Sequence, residues 1–157
     1  MPRVGNRGYD LLWGTVLRTT TRVHKLLDKV SGGRLGHHFI GGQQIIWVTT
    51  LGRKSGEWRR TPLMAVHEDD DPAKPWVITG SNAGQAAVPG WVFNVRAHDE
   101  GTVEIEGVTR AARFVEVTGP ERDELYEQLA QIWSSYRMYE RQAGRPIPVF
   151  RVIPQDA

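Results

Sequence analysis

The chain has 157 residues, enough for one domain with a sizeable core, and 39% hydrophobic content with six Trp excludes a disordered polar chain. Cysteine is absent, which excludes disulfides, thiolate nucleophiles and thiolate metal sites, and no apolar run approaches the roughly 18 residues of a membrane span. The net charge of +2 hides an uneven distribution, since Arg3, Arg7, Arg18, Arg22, Lys25, Lys29 and Arg34 face only Asp10 and Asp28 in the first 34 positions.

Nothing at the N-terminus resembles a cleavable signal, so the cytoplasm is the expected compartment. From Tyr9 to Val30, Leu12, Val16, Val23, Leu26, Leu27 and Val30 recur at three- and four-residue steps, with Leu11, Trp13 and Leu17 widening the stripe. This predicts one amphipathic helix, or two broken near Thr19-Thr20-Thr21, ended by Ser31-Gly32-Gly33. Two placements are open: a cap on the core, or a helix lying in a membrane interface with Trp13 and its Arg/Lys face toward lipid, which would bring the protein to the inner face of the cell membrane. The expected division is an N-terminal amphipathic helical segment over 1–36 and a second domain over 37–157.

His24, His37, His38, His67 and His98 show no i, i+4 pairing and no carboxylate at ligand spacing, so no metal site is expected. Ile45 to Thr50 is rich in β-branched and aromatic residues and reads as a strand, returned through Gly52 and Gly56 by a second strand from Trp58 to His67. The tip of this hairpin is cationic: Arg53, Lys54, Arg59 and Arg60 crowd together, and Ser55 with the amides beside the glycines can hydrogen-bond phosphate or carboxylate. A solvated basic turn accounts for the same residues. Glu68-Asp69-Asp70-Asp71-Pro72 reads as a solvated loop.

Trp76 to Thr79 is a short buried-type strand. It runs into Gly80-Ser81-Asn82-Ala83-Gly84-Gln85-Ala86-Ala87-Val88, whose small residues let backbone approach a ligand closely, and Pro89-Gly90-Trp91 opens a short helix through Arg96. Trp91, Asn94 and Val95 share a face of it, which makes Asn94 either a buried polar strut or a ligand contact. Thr102 to Glu106 and Val108 to Val117 alternate as two strands turning at Gly107, with Glu104 and Glu106 on a solvent face. A second long helix starts at Gly119-Pro120 and runs to about Ala143, with Leu125, Leu129, Ile132 and Trp133 as its core stripe and Ser134-Ser135 as its weak point. Tyr136 and Tyr139, three apart, either reach a cavity together or pack with their hydroxyls at the rim. Ile147 to Ile153 is a final strand at an edge or seam of the sheet.

Six strands joined mostly as antiparallel hairpins, with helices at the corners, predict a mainly β chain with flanking helices (α+β) built around a small barrel. A dinucleotide GxGxxG after a strand, GxxxxGK[ST], GxSxG and HExxH are all missing, so a Rossmann site, P-loop, hydrolase elbow and zinc protease have no support.

Thr49-Thr50-Leu51-Gly52-Arg53-Lys54-Ser55-Gly56 with Arg59 and Pro62-Leu63, then Ser81-Asn82-Ala83-Gly84, then Pro89-Gly90-Trp91 with Asn94 and Arg96, resembles the deazaflavin-dependent nitroreductase family of actinobacterial oxidoreductases. The likeness runs from about Ile45 to Ile153. It implies a six-stranded split β-barrel of the flavin-mononucleotide-binding type over 37–157 and a bound 8-hydroxy-5-deazaflavin, coenzyme F-420, with flavin mononucleotide the less favoured cofactor. That coenzyme carries a phosphate and an oligoglutamate tail. By the resemblance, Lys54 and Arg59, with Ser55 and the lower-ranked Arg60, hold the acidic groups. Ser81, Asn82, Gly84, Trp91, Asn94 and Arg96 line the groove, and Tyr136 and Tyr139 border the substrate and donate a proton. The sequence departs from the family pattern at Trp133 for a frequent tyrosine, Ala83 for a glycine, Asn82 for a lysine and Gly90 for a bulkier residue.

The expected activity is therefore hydride transfer from reduced F-420 to a small acceptor, a quinone, enone or nitroaromatic. A non-catalytic deazaflavin or lipid carrier on the same barrel is the alternative, and nucleic acid is not an expected partner, because the net charge is low and the basic residues lie on separate elements.

Overall fold

The computed structural model describes residues 44–155 together with Val23. Val23 is helical and exposed. The rest of the N-terminal segment 1–36, with both placements considered for its helix, lies outside the described residues.

Within residues 44–155, seven strands and three α-helices follow one another: β1 (Ile45–Leu51), β2 (Trp58–Met64), β3 (Val66–His67), β4 (Trp76–Thr79), α1 (Gly90–Ala97), β5 (Glu100–Ile105), β6 (Val108–Val117), α2 (Gly119–Ile132), α3 (Tyr136–Ala143) and β7 (Val149–Pro154). They form one sheet of order β2-β1-β5-β6-β7-β4-β3, and all its pairings are antiparallel. The expectation of six strands is corrected to seven. The strand predicted over Trp58 to His67 breaks at Ala65, which is buried and whose amide donates to the Gln44 carbonyl at 3.0 Å. Its two halves pair with β1 and with β4, near opposite ends of the sheet order. A single residue joins the two outermost strands, so the sheet must curl until its edges meet, which makes the half-barrel.

Strand alternation then assigns the faces. Ile46 and Val48 of β1, Val103 of β5, Phe114 of β6, Ile78 of β4 and Phe150 and Val152 of β7 turn inward, and Trp91, Val92 and Val95 of α1 plug the space between them. Removing Phe150, 1% exposed, to Ala would cost about 3–5 kcal/mol through lost transfer energy and the cavity left behind. A second cluster lies on the other face, where Val77, Val117 and Val149 sit beneath Leu125, Tyr126, Leu129 and Ala130 of α2 and Tyr136 and Ala143 of α3. At Gly101, where β5 crosses Thr50 of β1, a Cβ would lie 2.2 Å from the Thr49 carbonyl oxygen, so only glycine permits the approach.

The helix expected to run on to Ala143 is two helices. Trp133, with φ −132 and ψ 96, leaves the helical region, and Tyr136 restarts the helix at an angle that lets α3 return over the β4 end of the barrel. Gly144, with φ 65, closes α3 in the left-handed conformation that glycine accepts without a Cβ clash.

Candidate functional site: a basic hairpin tip joined to a small-residue loop

The tip of β1–β2 is held by its own backbone. The Gly52 amide donates to the Glu57 carbonyl at 2.8 Å, the Gly56 amide to the Gly52 carbonyl at 2.7 Å, and the Glu57 amide to Ser55 Oγ at 3.3 Å. Ser55 thus accepts within the turn and keeps its own hydroxyl proton as a donor. Around this turn Arg53, Lys54 and Arg59 stand exposed. Lys54 has no ion-pair partner among the described residues. Arg59 meets Glu57 at 2.6 Å with both side chains more than half exposed, a pair worth little in water and readily exchanged for a stronger anion.

The register places Arg59 opposite Thr50 and Arg60 opposite Thr49, on opposite faces of the strand as the alternation predicts. Arg60 is held away from the tip. Its guanidinium covers the Trp47 ring at 3.8 Å and donates to Glu104 Oε2 at 3.0 Å, which closes the outer face of β1 and leaves Trp47 1% exposed. Glu104, expected on a solvent face, is drawn into this contact. Arg60 therefore covers the outer face of β1, on the opposite side of the strand from Arg59.

Helix α1 binds the tip to the rest of the site. Asn94, 8% exposed, accepts the Arg53 amide on Oδ1 at 3.2 Å and donates from Nδ2 to Thr50 Oγ1 at 3.3 Å, so it is the buried strut of the two readings. One residue earlier Phe93 lies under the Arg53 guanidinium at 4.7 Å. Trp91 turns the other way. It is 5% exposed and meets Phe150 edge-on at 5.3 Å, so its ring belongs to the barrel core and not to a groove wall. Arg96 is held by Glu116 through two hydrogen bonds of 2.9 and 2.7 Å, and that carboxylate raises its pKa further.

The loop that enters α1 is a run of left-handed residues: Asn82 at φ 48, Ala83 at φ 51 and Gly84 at φ 77. Asn82 Nδ2 donates to the Ala87 carbonyl at 3.1 Å, while Ser81 opens the turn and is half-buried. Gly84 is where α3 comes closest, since a Cβ there would lie 3.0 Å from Tyr139 Cδ1 and 2.8 Å from Gln142 Oε1. Tyr139 therefore stands beside the loop, half-buried. Tyr136 does not share that position. It is 4% exposed, its hydroxyl accepts Thr79 Oγ1 at 3.2 Å, and burial pushes its phenol up to about 12. The two rings meet edge-on at 5.5 Å, so Tyr136 supports Tyr139 from beneath instead of lining a substrate surface with it.

Sequence spacing placed Arg53 in the cationic tip but left it out of the coenzyme set, and it missed Phe93 as a member of this constellation. It also missed Arg145, whose guanidinium lies against the backbone of the 80–87 loop. A cavity of about 280 Å³ lies between β3, the 3-10 turn after it and α2, lined by Val66, Glu68, Val77, Leu125 and Gln128 among others. None of the expected site residues lines it. The basic tip meets the middle of α1 at Phe93 and Asn94, and the loop that receives α3 leads into the start of that helix.

The fold is thus a curled antiparallel half-barrel plugged by a helix, with exposed cations on a hairpin tip and a small-residue loop at the helix start. The F-420H(2)-dependent quinone reductase family model matches residues 19–154, and the chain belongs to that family. An F-420H(2)-dependent quinone reductase from Mycobacterium tuberculosis is 27% identical over 133 residues, which covers 82% of this chain and 85% of that protein. A solved F-420-H2 dependent reductase, FDR-A, is 32% identical, covers 69% of this chain and 92% of its own, and superposes with a TM-score of 0.56. A second solved structure, described as a domain-swapped dimer, is 30% identical over 83% of this chain and 96% of its own with a TM-score of 0.59. The protein is thus an oxidoreductase, and its cofactor is reduced coenzyme F-420.

The residues present suit that group. Lys54, without an acid partner among the described residues, and Arg59, in a solvent-exposed pair, have the charge that a phosphate and glutamate carboxylates would require. The loop at Gly84 packs against Tyr139 and Gln142 too closely for a Cβ, which fixes its backbone beside the half-buried Tyr139.

Proposed function

We propose that the chain reduces a quinone by hydride transfer. In this reading Arg53, Lys54 and Arg59, with the Ser55 hydroxyl, grip the phosphate and tail carboxylates, and Ser81, Asn82 and Gly84 receive the ring. Reduced F-420 supplies the hydride when bound. The acceptor takes that hydride and needs one proton to become the hydroquinone; in this reading the Tyr139 phenol gives it and is reprotonated from solvent. Tyr136 holds Tyr139 in place, Asn94 fixes the height of the basic tip, and Arg96 with Glu116 braces the end of α1. The carrying observation is Lys54, a cation with no acid partner among the described residues, on a tip that α1 ties to the loop beside Tyr139.

The family description favours quinones over nitroaromatics and enones as acceptors. Quinones with long tails partition into lipid, and the basic, amphipathic sequence from Leu11 to Val30 is what would bring a cytoplasmic enzyme to the inner face of the membrane. Flotation with anionic vesicles, full chain against a version lacking the first 36 residues, tests that part. A subunit pairing like that of the domain-swapped relative belongs to the same reading and is tested by sedimentation.

Titration followed by visible absorbance tests the central claim. F-420 should bind and flavin mononucleotide should bind more weakly, with Lys54→Ala and Arg59→Ala each weakening F-420 by about tenfold. Absent F-420 binding, or unchanged affinity in both variants, would sink the site. Binding without oxidation of the reduced coenzyme by a quinone panel would make the chain a carrier instead of a reductase.

A further inference from the structure

Arg145 is an unusual cation. Its Nε donates to the Ala86 carbonyl at 2.9 Å, Nη1 to Pro146 at 3.3 Å, and Nη2 to the carbonyls of Gly80 at 3.2 Å, Gln85 at 3.1 Å and Ala87 at 3.1 Å. All of these acceptors are peptide oxygens, and among the described residues no carboxylate pairs with it. The placement follows from its neighbours. Gly144 closes α3 at φ 65 and turns the chain back beneath the loop, and the Gly80 amide is laced to the Pro148 carbonyl at 2.8 Å just beyond.

A guanidinium that gathers carbonyls also orients amides. In a trans peptide the N–H of each following residue points opposite to the carbonyl, and no cis peptide occurs among the described residues. With the carbonyls of Gly80, Gln85, Ala86 and Ala87 drawn onto Arg145, the amides of Ser81, Ala87 and Val88 face the other side of the loop. Successive amides on one side of a backbone form an electropositive concavity for oxygen ligands, and the half-buried positive charge behind them deepens it.

We propose that Arg145 is a positioning residue for the ring end of the coenzyme site, setting an arc of backbone amides that meets the carbonyl oxygens of the deazaflavin ring. The inference rests on the coenzyme reading above and divides the site in two: the hairpin tip holds the acidic tail, and the Arg145-set loop holds the ring. Lysine cannot replace it, because one ammonium has three donors and no planar fork to span carbonyls on both sides of the loop.

The experiment compares the full chain with Lys54→Ala, Arg145→Met and Arg145→Lys, titrating each with F-420 and with a tailless 8-hydroxy-5-deazaflavin that lacks the phosphate and glutamates, and following amide hydrogen exchange in residues 80–88. Arg145→Met should weaken both ligands by about tenfold, leave the ratio of the two affinities at its wild-type value, and speed exchange in the loop. Lys54→Ala should lower that ratio with loop exchange unchanged. Arg145→Lys should show the same pattern at smaller size, and it carries the test if the methionine variant does not fold. Wild-type affinity for the tailless ring in both Arg145 variants overturns the inference, as does a ratio that falls with affinity, which would report general loss of structure. If wild-type protein binds neither ligand, the coenzyme reading has failed and the role of Arg145 falls with it; if Lys54→Ala behaves as expected and the Arg145 variants do not, only the role of Arg145 has failed.

Discussion

Asn94 and Arg53, separated by 41 positions in the chain, are joined by a hydrogen bond of 3.2 Å from the Arg53 backbone amide to Asn94 Oδ1. Through it the middle of α1 sets the position of the cationic turn, and the Thr50 contact at 3.3 Å uses the other end of the same amide. Removing the side chain leaves a buried hydroxyl and a backbone amide without this partner. Asn94→Ala should therefore lose about 1–3 kcal/mol of stability in urea unfolding. Because the tip then moves independently of α1, F-420 affinity should fall further than in a surface variant of equal stability.

Tyr136 supplies a prediction in alkali. Burial raises its phenol from 10.0 to about 12, with the Thr79 hydrogen bond acting in the opposite direction. Between those values the folded chain keeps a proton that the unfolded chain has lost, so stability declines as pH rises through that window. Tyr136→Phe should flatten this decline and remove one late-titrating phenol from the near-ultraviolet tyrosinate curve. Near neutral pH it should cost only about 1 kcal/mol, for the Thr79 hydroxyl left without its acceptor. An unchanged titration curve would mean that Tyr136 is open to water.

The acid side has its own group. Arg151 of β7 donates twice to Glu68, 83 positions away, at 2.7 Å each, and reaches Glu121 of α2 at 2.9 Å. The Arg151 hydrogen bond holds the Glu68 carboxyl below its ordinary value of 4.5, against the opposing effect of burial. A depressed folded pKa means stability that is present above 4.5 and is lost as pH falls through the lower folded value. Glu68→Gln should cost about 1–3 kcal/mol near neutrality, and the gap to wild type should close as the pH falls below the ordinary carboxyl value of 4.5 in chemical denaturation.

Ala83 carries backbone strain beside the ring loop. With φ 51 it occupies a left-handed conformation that costs an L-residue with a Cβ roughly 1–2 kcal/mol, and Asn82 and Gly84 on either side are residues that accept it more readily. Ala83→Gly should raise stability by about 0.5–1 kcal/mol after the larger unfolded-state entropy of glycine is subtracted. A lower thermal midpoint would show that the methyl group packs well enough to outweigh the strain.

Local pattern carried much of this molecule. The β1–β2 hairpin, the turn at Gly107, the start of α1 after Pro89 and the opposite facing of Arg59 and Arg60 all follow from two-residue alternation and from glycine or proline at turns, which act over a few neighbouring residues. The same applies to the basic tip, where the charges are adjacent in sequence. Other features depend on partners that no local spacing encodes. Arg60 is taken up by Glu104, Trp91 by Phe150, Tyr136 by Thr79 and Arg145 by the carbonyls of Gly80, Gln85, Ala86 and Ala87, the hydrogen-bonded ones at separations of 44 to 65 positions. Those partnerships exist because the sheet runs β2-β1-β5-β6-β7-β4-β3 and curls shut at Ala65. Chain order thus wrote the elements and the charge of the tip, while closure of the barrel chose which polar and aromatic side chains are buried and which remain available to a coenzyme.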